Sequence, residues 1–225
     1  MTDSPPISLV CCDLASIVID GSIVERAFAE AIATQGIVTG TQDYARSMVR
    51  FDRSLGRAPA AVLRELFDGD EPRAQAATLA FERSFRAAAQ RFSLDIPADV
   101  ADAFGKAAGS GARICLLTML SRRSCGDLIA LLRTADLVLC ADDAPRGFPW
   151  PDPVLTAMLR LGAADVREVA VVSATPDGVL AGYRAGARIV AGLGSGRRAA
   201  ALREAGATHV IDSITALPEL VAEAA

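Results

Sequence analysis

The chain has 225 residues, 52% of them hydrophobic, and carries a formal net charge of −4. This length can bury one core and carry an insertion, and this hydrophobic share excludes global disorder. The acidic balance removes the usual electrostatic basis for binding nucleic acid, so none is expected as a partner.

Short apolar runs that suit strands buried on both faces occur at Ile7–Cys12, Ala112–Thr118, Leu137–Cys140, Glu168–Ser173, Arg188–Val190 and Thr208–Ile211. The first run leads directly into Asp13, which places a carboxylate at the carboxyl edge of a strand, where open α/β sheets hold their chemistry. Between the first and second strands, residues 23–92 show only helical periodicity. Ala27, Ala31 and Ile32 share one face, as do Val62, Leu63, Leu66 and Phe67, and then Leu79, Phe81, Phe85 and Ala89. Leu94–Pro97 returns the chain to the sheet. Further helices are predicted at Arg123–Arg133, Asp152–Leu161, Asp177–Ala185 and Arg197–Ala205, with Gly186 and Gly206 at two helix ends. The alternation predicts an α/β fold with a parallel sheet. The expected division is a core of residues 1–20 and 96–225 with a helical cap of residues 21–95.

Five cysteines (Cys11, Cys12, Cys115, Cys125 and Cys140) show no zinc-type spacing. With no secretory pattern and no apolar run near the ~18 residues of a membrane span, a reducing cytoplasm is the expected setting and no membrane partner is expected.

The segment Asp13-Leu14-Ala15-Ser16-Ile17-Val18-Ile19-Asp20 resembles the first motif, DxAGTxxD, of phosphonatase-like hydrolases in the haloacid dehalogenase superfamily. Leu117-Thr118 resembles the second motif, residues 141–152 a third segment (SDDVxxGRPxPD), and residues 171–178 the fourth (VVGDTPND). The resemblance implies a Rossmannoid parallel sheet with an inserted all-helical, C1-type cap. It also implies Asp13 as a nucleophile, Thr118 as a hydrogen-bond donor to the transferred group, Asp20 as loop support, and a magnesium ion held in part by fourth-motif carboxylates.

Several implied residues are replaced. Ala174 and Gly178 stand where metal-binding carboxylates are expected, Phe148 where a cation is expected, and Ser16-Ile17 where the motif has Gly-Thr. Phosphonatases also use a cap lysine to form a Schiff base. Here Asp52 falls near that position and the chain's only lysine, Lys106, lies after the cap. The leading expectation is therefore a degenerate, non-catalytic binding or partner subunit, such as one of a biosynthetic enzyme complex, rather than a standalone phosphohydrolase. It has no metal-ligating set, no cofactor and a protein partner. The alternative is a hydrolase that uses Asp13 as nucleophile, either a phosphatase needing magnesium or a metal-independent, dehalogenase-like enzyme. Ser173, opening Ser173-Ala174-Thr175-Pro176, fits the metal-independent branch, whose fourth motif begins with Ser.

Candidate contact residues lie elsewhere. Arg46, Arg50 and Arg53, with Arg57, recur at intervals of four, three and four. They form either a solvated helix face or a cationic stripe for an anionic substrate or partner. Arg146, Phe148 and the only tryptophan, Trp150, lie in or beside a stiff Phe-Pro-Trp-Pro loop placed near the site mouth. They are candidates for substrate or partner contact, with plain packing as the alternative.

Overall fold

The computed structural model describes residues 5–17, 21–91, 96–126, 129, 132 and 134–223. Six strands form one parallel sheet: β1 (Leu9–Asp13), β2 (Arg113–Leu117), β3 (Leu137–Leu139), β4 (Val169–Ser173), β5 (Ile189–Leu193) and β6 (His209–Ile211). Their order is β3-β2-β1-β4-β5-β6. The chain winds outward from β1 in one direction, then returns and winds outward in the other. The crevice at the carboxyl ends of β1 and β4 is thus a topological switch point, the usual place for a ligand in an open α/β sheet.

Both faces of the sheet are covered, which explains why the strands read as unbroken apolar runs. Val10 and Cys12 of β1 join Ile114, Leu116, Ala170 and Val172 in one core that continues into the helical insertion. Leu9 and Cys11 join Cys115, Leu117, Val169 and Val171 on the opposite face, against the helix Asp152–Leu161. All five cysteines are free and buried, as expected of small core hydrophobes.

Among the described residues, five helices lie between β1 and β2: α1 (Gly21–Ala33), α2 (Gln42–Asp52), α3 (Pro59–Leu66), α4 (Glu71–Arg91) and α5 (Ala98–Gly109). The caps are local. The Thr41 hydroxyl accepts the Tyr44 amide at 3.2 Å to start α2, and Pro59 opens α3 where no amide is needed. α1 packs along α4, Phe28 and Phe85 are fully buried in their shared core, and Phe28 stacks on Phe51 of α2 at 4.5 Å. This is a small hydrophobic core of its own, built from the apolar faces that helical spacing predicts.

The remaining helices are α6 (Arg122–Cys125), α7 (Asp152–Leu161), α8 (Pro176–Ala185), α9 (Gly196–Glu204) and α10 (Leu217–Glu223). The predicted helix Arg123–Arg133 lies in part outside the described residues, at 127, 128, 130, 131 and 133, and Asp20 and Leu94–Asp95 lie outside them as well. The helical insertion is latched to the sheet layer. The Ser121 hydroxyl, at the start of α6, donates to Glu82 of α4 at 2.6 Å, and the Arg86 guanidinium donates to the Arg123 carbonyl at 3.0 Å. Among the described residues, no helix is long and apolar enough to cross a membrane.

Candidate active site at the carboxyl edge of the sheet

Asp13 closes β1 and caps the short 3-10 turn Leu14–Ser16, its carboxylate accepting the Ala15 amide at 3.1 Å. Its other oxygen accepts the hydroxyl of Ser173, the last residue of β4, at 3.0 Å. Asp13 is 3% exposed. Burial raises its pKa from the ordinary 3.8 to about 6, against the opposing pull of hydrogen bonds from Ser173, Ala15 and Ser16. A carboxylate at the edge of a buried strand is thus poised to titrate just below neutrality.

The fourth-motif loop is built around the same hydroxyl. Ser173 Oγ accepts the Thr175 amide at 3.1 Å, and Thr175 caps α8 by accepting the Gly178 amide at 3.2 Å. A Cβ on Gly178 would lie 2.2 Å from Ser173 Oγ. The residues at 173 and 178 are therefore coupled: the hydroxyl that holds Asp13 occupies the space a side chain at 178 would need. The Ser16 hydroxyl accepts the Ala174 amide at 2.7 Å, tying the first loop to the fourth.

Asp13 opens into a cavity of about 430 Å³ between the sheet edge and the helical insertion. Thr118 lines it from the end of β2, its hydroxyl accepting the Leu120 amide at 3.2 Å. The walls are largely apolar, with Val24, Phe51, Leu55, Met119 and Leu120. Two arginines line the cavity, Arg57 and Arg198, and Asp13 is the only carboxylate among the described residues that line it. Arg57 is held by a two-pronged pair with Glu65, which raises the pKa of the guanidinium and lowers that of the carboxyl. The neighbouring Gly56 has φ +95°, and a Cβ there would meet Thr175 Oγ1 at 2.5 Å, so the α2–α3 loop sits directly on the fourth-motif loop.

The other candidate residues are placed apart from this cavity. Arg46, Arg50 and Arg53 line an adjoining open groove that shares Ser54 and Arg57 with it. Arg46 pairs loosely with Asp43 at 3.7 Å, and Arg50 donates to the Glu65 carbonyl at 3.4 Å. Arg146 is engaged by Asp152 through two 2.9 Å bonds and lies over the Trp150 ring at 4.4 Å, with Arg184 on the same ring at 5.2 Å. Trp150 is 45% exposed and does not line the cavity. Phe148, at the position of the missing cation, is buried in the sheet core, where its amide meets the Met119 sulfur at 3.3 Å.

The expectation of a non-catalytic subunit with no metal-ligating residues is overturned at the end of β3. Cys140, Asp142 and Asp143 present ligand-type atoms that all lie within 4.8 Å of one another. A hydrogen bond from Cys125 and the charge of Arg122 pull the Cys140 thiol down against its burial. Asp143 accepts the Cys140 amide at 2.8 Å, and Asp142 accepts the Arg122 amide at 2.9 Å. This cluster follows β3, two strands from β1, and with the buried, hydrogen-bonded Asp13 it leaves the chain polar groups that loss of the fourth-motif carboxylates alone would not predict. A hydrolase is the reading that fits these groups.

Arg198 and the Ser173–Gly178 coupling were missed from the sequence. Arg198 lies 185 positions beyond Asp13 in a polar helix, with no motif to mark it. The combination of Ser at 173 with Gly at 178 was visible, but only the contact distance shows that one requires the other.

Structural comparison places this geometry. A phosphonoacetaldehyde hydrolase-like protein from Oleispira antarctica superposes with a TM-score of 0.78 at 20% identity, covering 100% of this chain and 94% of that one. A hydrolase from Pseudomonas syringae gives 0.76 at 19% identity, with 96% and 98% covered. The fold is an α/β Rossmannoid parallel sheet with helical insertions, and it matches haloacid dehalogenase-like, C1-cap architecture. By sequence, the phosphonoacetaldehyde hydrolase of Pseudomonas fluorescens strain Pf0-1 is 34% identical over 112 residues, and that of Pseudomonas putida strain W619 is also 34% identical over 112 residues. Each match takes in 40% of this chain, which covers 41% of the length of those curated relatives. No family model matches the chain.

Proposed function

We propose that this chain is a hydrolase that uses Asp13 as a nucleophile without a metal ion, in the manner of a dehalogenase. The carrying observation is the Asp13–Ser173–Gly178 arrangement. Magnesium is the ion that the superfamily resemblance implies, and it requires several hard oxygen ligands in near-octahedral geometry. Around Asp13 the residues do not fit it. Position 174 is Ala, and the room for a carboxylate at 178 is taken by the hydroxyl bound to Asp13. The Cys140 cluster contributes a soft thiol, and its Asp143 carboxylate is paired with Arg122 and Arg160.

The chemistry available to the chain's own residues is a two-step displacement. An ionised Asp13 oxygen attacks a carbon bearing a leaving group, and that group departs with the bonding electron pair. Water then attacks the ester carbonyl of Asp13, releasing the alcohol product and a proton and restoring the carboxylate. The Ser173 hydroxyl and the Ala15 amide orient the carboxylate, and the apolar walls limit its hydration. Helices of the 21–95 segment act as a cap that closes the cavity from above. Phosphonoacetaldehyde hydrolysis, the activity named for the curated relatives, is not carried over. Its Schiff-base lysine has no counterpart in the cavity, since Lys106 is exposed on α5.

The test is chloride release from a panel of short 2-chloro acids in the presence of EDTA. The proposal predicts release by the wild type that is unaffected by the chelator and lost in Asp13→Asn. Release that needs added magnesium, or that survives in Asp13→Asn, overturns it.

A further inference from the structure

We propose that Arg198 receives the anionic end of the substrate, and that Gly194 is present to let it reach the cavity. The inference deepens the Asp13 reading and rests on it. Of the two arginines that line the cavity, Arg57 is already paired with Glu65. Arg198 makes no ion pair or side-chain hydrogen bond among the described residues. Among the described residues that line the cavity, it is the cation without a carboxylate partner.

Its approach is shaped by the chain. Arg198 is the third residue of α9, three residues past Ser195, and its stem lies across Gly194 just after β5. A Cβ on Gly194 would meet Arg198 Cδ at 2.7 Å, Cγ at 3.0 Å and Cβ at 3.4 Å. The backbone of Gly194 is not among the positive-φ glycines, so an L-residue fits it without strain. What glycine supplies here is room along the path of one side chain. Because the obstructing atoms belong to a flexible arginine, a methyl group at 194 displaces the guanidinium rather than the fold.

The charge balance selects the ligand. A phosphate dianion beside Asp13 would need several nearby cations, whereas Phe148 stands at the position of one and no lysine lines the cavity. A single free guanidinium with its planar fork suits a carboxylate, and Val24, Phe51, Leu55 and Leu120 suit a short alkyl chain. The geometry thus fits a small monocarboxylate whose charged end lies at Arg198 and whose reactive carbon faces Asp13.

Butyrate and its neutral analogue butyramide serve as probes, with binding measured by calorimetry at pH 7.5 on wild type, Arg198→Gln, Gly194→Ala and Asp13→Asn. Wild type should bind butyrate in preference to butyramide and to inorganic phosphate. Arg198→Gln and Gly194→Ala should each weaken butyrate about tenfold or more while leaving butyramide unchanged and melting temperatures near wild type. Asp13→Asn should keep the preference for butyrate. The proposal is overturned if wild type fails to bind butyrate, if phosphate binds better, or if Arg198→Gln binds butyrate as tightly as wild type. These outcomes are separate from the Asp13 reading, which stands or falls on chloride release by Asp13→Asn.

Discussion

Replacing Asp13 with Asn should stabilise the protein, and the gain should depend on pH in a defined way. Asp13 is buried, and its carboxyl titrates at about 6 in the fold against 3.8 in an open chain. The folded state therefore binds this proton more readily than the unfolded state. Stability linked to the group is complete below about pH 4 and is lost as pH rises through about 6. The gap of about 2 pH units, at ~1.4 kcal/mol each, makes the buried carboxylate cost about 3 kcal/mol near pH 8. Asparagine keeps an oxygen for the Ala15 amide and offers its NH₂ to Ser173 Oγ, so both hydrogen bonds have counterparts. For a chain of this size the advantage corresponds to about 6–12 °C in melting temperature at most. Urea denaturation of both proteins from pH 4.5 to 8 measures it. The Asn variant should match wild type at the acid end and exceed it increasingly toward pH 8. A difference independent of pH, or one that shrinks as pH rises, would refute the reasoning and mean that Asp13 is not held as a costly buried charge.

Other perturbations test separate parts of the account. Turnover should rise with pH through about 6 as Asp13 ionises, and a pH–rate profile flat from 5 to 8 would show that another group limits the reaction. Gly178→Ala should cost about 1–3 kcal/mol by pressing on Ser173 Oγ, read by urea denaturation, with Ser173→Gly relieving part of the loss in the double variant. Glu82→Ala removes the buried carboxylate that accepts the part-buried Ser121 bond between the helical insertion and the sheet layer, and should cost about 1–3 kcal/mol in the same assay. Phe28→Ala opens a cavity between α1, α2 and α4 and should cost about 3–5 kcal/mol.

The sheet was legible in the sequence because strands buried on both faces leave apolar runs, and all six appear within a few residues of their expected bounds. The helical insertion was legible for a related reason: Ala27, Ala31 and Ile32, and later Phe81 and Phe85, recur at helical spacing and are buried. Asp13 stood out because a carboxylate ending such a run has to be placed at the sheet edge. The remainder depends on contacts between distant positions. The substitutions at 174 and 178 read as losses when taken singly. In space, Gly178 makes room for Ser173, and Ser173 holds Asp13. Arg146 read as a candidate for substrate or partner contact or as a surface arginine, and only the structure shows that Asp152 and Trp150 engage it. Arg198 gave no signal at all, because its reach into the cavity is set by the absence of a side chain at Gly194.

The most direct test of the central claim is turnover of 2-chloropropionate in H₂¹⁸O, followed by mass spectrometry of the peptide containing Asp13. Attack by Asp13 and hydrolysis of the resulting ester at its carbonyl carbon predict ¹⁸O in the Asp13 carboxyl group after turnover, with EDTA present throughout. Product formation with an unlabelled Asp13 would show that water attacks the substrate directly, and that Asp13 is not the nucleophile.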